Sequence, residues 1–263
     1  MLRHILFGAL FACLLAAGVV HADTVLITGA DRGIGLEFAR QYANRGDTVI
    51  ATCRHPESAS ELRALTARKK NASVERLDVG ADHDIEVLAR KYQGKPIDVL
   101  INNAGILGNV ADQTLGTLSR SAFHNVMDVN VYGALAVSQA LRANVAASRN
   151  GRIVALTSGL GSIGVIQHLN SLPLYYSISK AALDMGMQAL ASPLSSSHVI
   201  VALIAPGAVD TAMFASFSAD YHVHMGALSA AESVSKMISV IDHLDADKAA
   251  KGVISYDGSI DPW

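Results

Sequence analysis

The sequence predicts an α/β protein with a doubly wound, mostly parallel sheet of about seven strands and helices on both faces. Three observations predict it. From Thr24 onward, short β-branched runs alternate with longer helical patterns, the rhythm of successive βαβ units. Several of the short runs, such as Asp98-Val99-Leu100-Ile101 and Val199-Ile200-Val201-Ala202-Leu203-Ile204, are almost wholly apolar, as strands covered on both faces should be. The first run leads directly into a glycine-rich turn that opens a helix.

Taken in order, strands are expected at Thr24–Thr28, Asp47–Thr52, Ser73–Leu77, Ile97–Ile101, Arg152–Thr157, Val199–Ala205 and Gly252–Ser255. Helices are expected near Gly33–Arg45, Glu57–Lys69, Asp82–Tyr92, Ser119–Ser148, Tyr175–Ser192 and Ala230–Leu244. No linker, repeat or low-complexity tract interrupts the alternation. A chain of 263 residues is long for one average domain, but doubly wound units of about 250 residues are commonly single, so residues 23–263 read as one catalytic domain.

The first 22 residues differ from the rest. Arg3 and His4 precede an apolar run from Ile5 to Val20, and Val20-His21-Ala22 puts small residues before Asp23, the pattern of a secretory signal peptide. The run is somewhat short for a spanning helix, which needs about 20 residues, so cleavage is favoured over an uncleaved membrane anchor. Cleavage after Ala22 would remove Arg3 and Cys13, shift the formal charge from −2 to −3 and leave Cys53 alone, so cysteine usage says nothing about redox compartment. The expected address is therefore export to the periplasm or medium, or a membrane-anchored form if the leader stays. Membrane contact is expected only in the second case. With hydrophobic residues at 51%, a mean hydropathy of +0.31 and scattered basic residues, the chain can build a large core and has no nucleic-acid footprint.

The glycine turn is Thr28-Gly29-Ala30-Asp31-Arg32-Gly33-Ile34-Gly35, followed by Leu36, Phe38, Ala39 and Tyr42 on one helical face. Glycines at such a turn let a backbone approach a pyrophosphate, which then meets the free N–H groups at the helix N-terminus. The spacing T-G-x-x-x-G-x-G departs from G-x-G-x-x-G and resembles that of the short-chain dehydrogenase/reductases. The resemblance implies a Rossmann-like fold and a nicotinamide cofactor held by Gly29, Arg32, Gly33, Ile34 and Gly35. In that family an acidic residue after the second strand goes with NAD and basic residues with the 2′-phosphate of NADP. This strand ends Ala51-Thr52-Cys53-Arg54, so Arg54, with Arg32 in the loop, implies NADP(H) in preference to NAD(H). Asp78 matches the family position that contacts adenine, though Asp is also a common turn residue. Asn102-Asn103-Ala104-Gly105 matches the family tetrad beneath the cofactor, adding Asn103, Ala104 and Gly105.

Tyr176-Ser177-Ile178-Ser179-Lys180 opens a helix and puts Tyr176 and Lys180 on one face. A phenol is a poor base at neutral pH, but a neighbouring ammonium and a cationic nicotinamide favour its phenolate. The resemblance assigns Tyr176, Lys180, Ser158 and Asn130 as the catalytic set: Tyr176 the general acid/base, Lys180 on the nicotinamide ribose, Ser158 on the substrate oxygen, and Asn130 near a water that serves the lysine. It also implies cofactor contacts from Tyr176, Lys180, Pro206, Gly207, Val209 and Thr211. The Ser158–Tyr176 gap exceeds the family's by several residues around Ile166–Pro173, an insertion beside the substrate.

Residues Ala212–Leu228 are expected to form a mobile substrate lid, with Phe214, Phe217, Tyr221 and Met225 as an apolar wall. His222 and His224 lack a third ligand, so no metal is expected. The ending Ser255-Tyr256-Asp257-Gly258-Ser259-Ile260-Asp261-Pro262-Trp263 resembles a branch containing C-factor and carbonyl-reductase-like proteins. The expected function is hydride transfer between NADP(H) and a small carbonyl or alcohol, in a homodimer or homotetramer. The alternative is a nicotinamide-binding signalling or redox-sensing protein without turnover. An intact Asn130, Ser158, Tyr176 and Lys180 set counts against it, because a sensor has no need of the proton donor. The family's usual address is the cytoplasm, and the leader departs from it.

Overall fold

The structure is a computed structural model that describes residues 22–167 and 172–261. The expected leader lies outside the described residues, Ala22 apart, and so do four residues of the insertion before the catalytic helix. Seven parallel strands follow the expected positions closely: β1 (Thr24–Ile27), β2 (Thr48–Cys53), β3 (Ala72–Arg76), β4 (Val99–Asn102), β5 (Arg152–Leu156), β6 (Ile200–Ala205) and β7 (Val253–Ser255). An eighth, β8 (Ile260–Asp261), pairs antiparallel with β7 and was not expected from a two-residue pattern. The sheet order is β3-β2-β1-β4-β5-β6-β7-β8, so the chain reverses its winding between β1 and β4, where such sheets open a crevice at their carboxyl ends.

The helices are α1 (Gly33–Arg45), α2 (Ser60–Arg68), α3 (Asp82–Tyr92), α4 (Arg120–Met127), α5 (Gly133–Ala146), α6 (Ile163–Ile166), α7 (Leu174–Ser195), α8 (Ala212–Tyr221), α9 (Ala230–Asp242) and α10 (Ala246–Ala249). One expectation is corrected. The long helix expected at Ser119–Ser148 is broken by a π-helical turn over Asp128–Tyr132 that contains Asn130. The stretch Ala212–Leu228, where no helix was expected, holds α8, whose first turn is capped by the Thr211 hydroxyl accepting from Phe214 N–H at 3.2 Å. Apolar periodicity missed α8 because none of its residues is buried.

The alternation of side chains along each strand divides the core in two. Val25 and Ile27 of β1, Ile101 of β4 and Ile204 of β6 pack on Phe38 and Tyr42 of α1 and Met237 and Ile241 of α9. Leu26, Leu100, Ile153 and Leu203 face the other way, onto Ile85 and Leu88 of α3, Val137 and Leu141 of α5, and Leu183 and Met187 of α7. Each fully buried aliphatic side chain contributes roughly 1.5–3 kcal/mol. Leu183 and Met187 thereby clamp the middle of α7 to the sheet.

One hydroxyl makes two of the bonds that hold the crevice. Thr28, 1% exposed just past β1, accepts at Oγ1 from the backbone N–H groups of Asn103 and Ala104, both at 3.0 Å. Replacing Thr28 with Val keeps the shape and removes the acceptor, leaving the Ala104 amide without a partner and the Asn103 amide with the Ile101 carbonyl alone. We expect Thr28→Val to cost about 1–3 kcal/mol, read as a lower urea midpoint with an unchanged slope.

Candidate active site

The cleft at this switch point encloses about 830 Å³. Of the residues expected to hold cofactor, Gly29, Arg32, Gly33, Ile34, Arg54, Asp78, Asn103, Ala104, Gly105, Tyr176, Lys180, Pro206 and Thr211 line it. Gly35, Gly207 and Val209 stand outside that lining. A Cβ on Gly35 would collide with the Gly29 carbonyl and lie 2.5 Å from Asn103 Nδ2, so its place requires glycine to let α1 close on the loop. Gly207 packs on the Tyr256 ring, and Val209 is buried in a bridge to Leu228. Cys53, Leu77, Val79, Ile106, Leu107 and Met213 also line the cleft, unforeseen because no motif marks them.

Where the glycine turn enters α1, Arg32 is the N-cap in extended backbone, with no side chain capping the helix. The free N–H groups of that first turn, where Gly33 and Ile34 line the cleft, suit an anion. Asn103 Nδ2 donates to the carbonyls of Thr28 and Gly29, both at 2.8 Å, and fixes the loop from beneath. Arg32, 72% exposed, pairs with Asp31 at 3.3 Å. Arg54 forms no ion pair among the described residues and lines the same wall. Asp78 Oδ1 accepts from Gly80 N–H at 3.0 Å, the turn role that its residue type also allows.

At the reacting end, α7 carries Tyr176 and Lys180 one turn apart. Lys180 is 5% exposed, its Nζ donating to the Leu156 carbonyl at 2.7 Å and standing 5.6 Å from the Tyr176 ring centre. Ser158, at the end of β5, accepts from Leu160 N–H at 3.2 Å, which leaves its own O–H free to donate. Asn130 is 1% exposed in the π turn; its Oδ1 accepts from Ile106 N–H at 2.8 Å, and its Nδ2 donates to the Ile106 carbonyl and Ser179 Oγ, both at 2.9 Å. The amide of Asn130 is thus spent on protein groups.

The aromatics of α8 meet at tilted angles, Phe214 with Phe217 and Phe217 with Tyr221 at 6.3 and 5.5 Å between ring centres. Met225 is 57% exposed. His222 takes the left-handed conformation that ends α8.

The profile of the short chain dehydrogenases matches residues 23–222. This chain belongs to the short-chain dehydrogenase family. Retinol dehydrogenase 8 of Bos taurus is 35% identical over 193 residues, covering 72% of this chain and 59% of that protein, so the chain spans about three fifths of that relative's length. The NADPH-dependent pterin aldehyde reductase of Arabidopsis thaliana is 31% identical over 204 residues, 76% of this chain and 81% of the relative. The NADPH-bound carbonyl reductase from chicken fatty liver superposes with a TM-score of 0.81 at 26% identity, covering 92% of this chain and 99% of the other.

In this short-chain dehydrogenase, burial dominates the proton affinities. Tyr176 is pushed up to about 12 by burial, with the Ser158 hydroxyl pulling down and the Asp184 charge adding to the rise. With Lys180 turned to the Leu156 carbonyl, the protein's own groups favour the phenol; the expected phenolate rests also on the charge of a cationic nicotinamide. Lys180 is pulled down to about 8 by burial, opposed by Asp184 one turn further along α7. Asp184 is itself pushed up to about 6 by burial, against the pull of Thr157 and Lys180.

The lysine therefore loses its charge only as the pH rises through about 8. Carbonyl reduction is expected to decline over that same interval, measured as NADPH oxidation at saturating substrate. A rate unchanged from neutral to strongly basic pH would remove the Lys180 charge from the reaction.

Proposed function

We propose that this chain is an NADPH-dependent carbonyl reductase acting on small-molecule aldehydes or ketones. One observation carries the proposal: Tyr176 and Lys180, a helical turn apart, line the same cleft as the glycine loop at the sheet's switch point. When bound, NADPH supplies the hydride to the carbonyl carbon. Gly29, Gly33 and Ile34 with the first turn of α1 would hold the pyrophosphate, and Pro206 and Thr211 the carboxamide side. The lone cation Arg54 would pair with the 2′-phosphate, with Arg32 as a second, weaker partner because Asp31 already engages it. The NADPH of the chicken and Arabidopsis relatives agrees with that preference.

Tyr176 would give its phenolic proton to the substrate oxygen, a role suited to a group held well above neutral pH. The free Ser158 O–H would orient that oxygen and stabilise the charge it gains. Lys180 would hold the nicotinamide ribose, and Asn130 would keep the wall beside it in place. A protonated phenol is the form that donates when the carbonyl is reduced. Ile178 and Met185, 41% and 72% exposed on the outer side of α7, support a homodimer or homotetramer through that helix. Residues 1–22 are proposed as a leader removed before Asp23, with 23–263 the catalytic domain. Among the described residues no helix is long and apolar enough to cross a membrane.

The decisive assay is NADPH oxidation against aldehydes and ketones. Tyr176→Phe is expected to lower kcat about 10²- to 10⁴-fold, the span of one general acid, while NADPH still binds. Full activity in that variant would refute the assignment. Arg54→Ala is expected to raise KM for NADPH about 10- to 100-fold, the worth of one charge-assisted hydrogen bond, and to leave KM for NADH unmoved. Equal losses with both cofactors would place the 2′-phosphate elsewhere.

A further inference from the structure

Gln113 is buried at 2% exposure in the loop after β4, far from every motif of the sequence. Its carboxamide is fully engaged, and only with backbone. Nε2 donates to the carbonyls of Leu107 at 3.1 Å and Asn109 at 3.3 Å, and Oε1 accepts from Tyr175 N–H at 2.9 Å. Tyr175 lies in the first turn of α7, whose N–H groups have no partner within the helix. The residue preceding that helix is Pro173, which offers no side-chain cap. Gln113, 62 positions upstream, serves instead, and it does so while gripping the segment that lines the cleft.

The same segment is gripped a second time. Asn130 holds both backbone groups of Ile106 and donates to Ser179. Two amide side chains therefore tie the strip from Ile106 to Asn109 to α7, one reaching Tyr175 and the other Ser179, with Tyr176 between them. Close fit around Gln113 supports the pairing: a Cβ on Gly108 would lie 3.0 Å from its Nε2. Tyr175 itself is 5% exposed, its ring edge-on to Phe123 of α4 at 5.4 Å, so the start of the helix has little room to shift while the tie holds.

We propose that Gln113 is a positioning residue for the reaction, setting the distance between the Tyr176 phenol and the cleft wall formed by Ile106, Leu107 and Gly108. The proposal rests on the reductase function proposed above. A displacement of about 1 Å at a reacting group can cost about 100-fold in rate, so loss of the tie is expected to act on kcat far more than on binding.

The test compares Gln113→Met, which keeps length and apolar volume but loses all three hydrogen bonds, with Gln113→Glu, which keeps the acceptor for Tyr175 and turns the donor into an acceptor facing two carbonyls. Expected for Gln113→Met is a kcat about 10- to 100-fold lower with NADPH affinity within about threefold of wild type, together with faster exchange of the Tyr175 amide hydrogen. Expected for Gln113→Glu is a similar loss at basic pH that recovers relative to wild type as the pH falls, because a protonated carboxyl donates again. If folded Gln113→Met keeps wild-type kcat, or if kcat falls only in step with the folded fraction, the proposal is overturned. A wild-type protein without turnover would instead sink the reductase function, with exchange at Tyr175 still reporting whether Gln113 holds the helix.

Discussion

The tie between the ends of β1 and β4 is the constraint on which the rest of the site depends. A doubly wound sheet opens where its winding reverses, and an opening made of two strand ends and two loops would be soft without cross-links. Here Thr28 accepts from two consecutive amides of the β4 loop, and Asn103 returns two bonds to the β1 loop. Four hydrogen bonds across one gap fix the floor of the cleft. Gly35 then lets α1 approach closely enough for its N-terminal turn to face the same space. Remove the interlock and the anion site, the wall beyond Ala104 and the approach to Tyr176 would all move independently.

Above that floor the chemistry is set by burial. Tyr176, Lys180 and Asp184 succeed one another at single turns of α7, the last two almost fully enclosed. Enclosure disfavours charge on each of them, so the phenol and the carboxyl rise and the ammonium falls. Asp184 opposes the fall at Lys180, and the Leu156 carbonyl accepts its proton-bearing nitrogen. The result is a phenol that stays protonated beside an amine that still carries charge at neutral pH. Rigidity comes from the ties flanking Tyr176, made by Asn130 and Gln113 on the strip that forms the opposing wall.

Much of this was legible in the chain because it is written in local periods. Short β-branched runs alternating with helical patterns located seven strands, and the glycine spacing located the turn that feeds α1. Tyr176 and Lys180 stood out through the family resemblance of the motifs around them, the four-residue interval adding only that they share a helical face. Other elements lacked a local period. α8 buries nothing, and β8 spans two residues, too few for alternation to register. The π turn at Asn130 looks like helix in sequence because it widens the turn by one residue without changing the apolar pattern.

The sequence by itself determined the order of strands and helices, the glycine loop and the helix that carries Tyr176 and Lys180, since each depends on side chains close together along the chain. Tertiary structure alone decided what those residues experience. Arg32 turned out to be engaged by Asp31 and Arg54 not, a difference invisible in composition. Asn130 proved to be spent on Ile106 and Ser179, and burial among the protein's own groups proved to favour the phenol form of Tyr176. Gln113 found its partners 62 residues away. Desolvation and hydrogen bonding over such separations depend on where the fold places each group, and no interval along the chain encodes that placement.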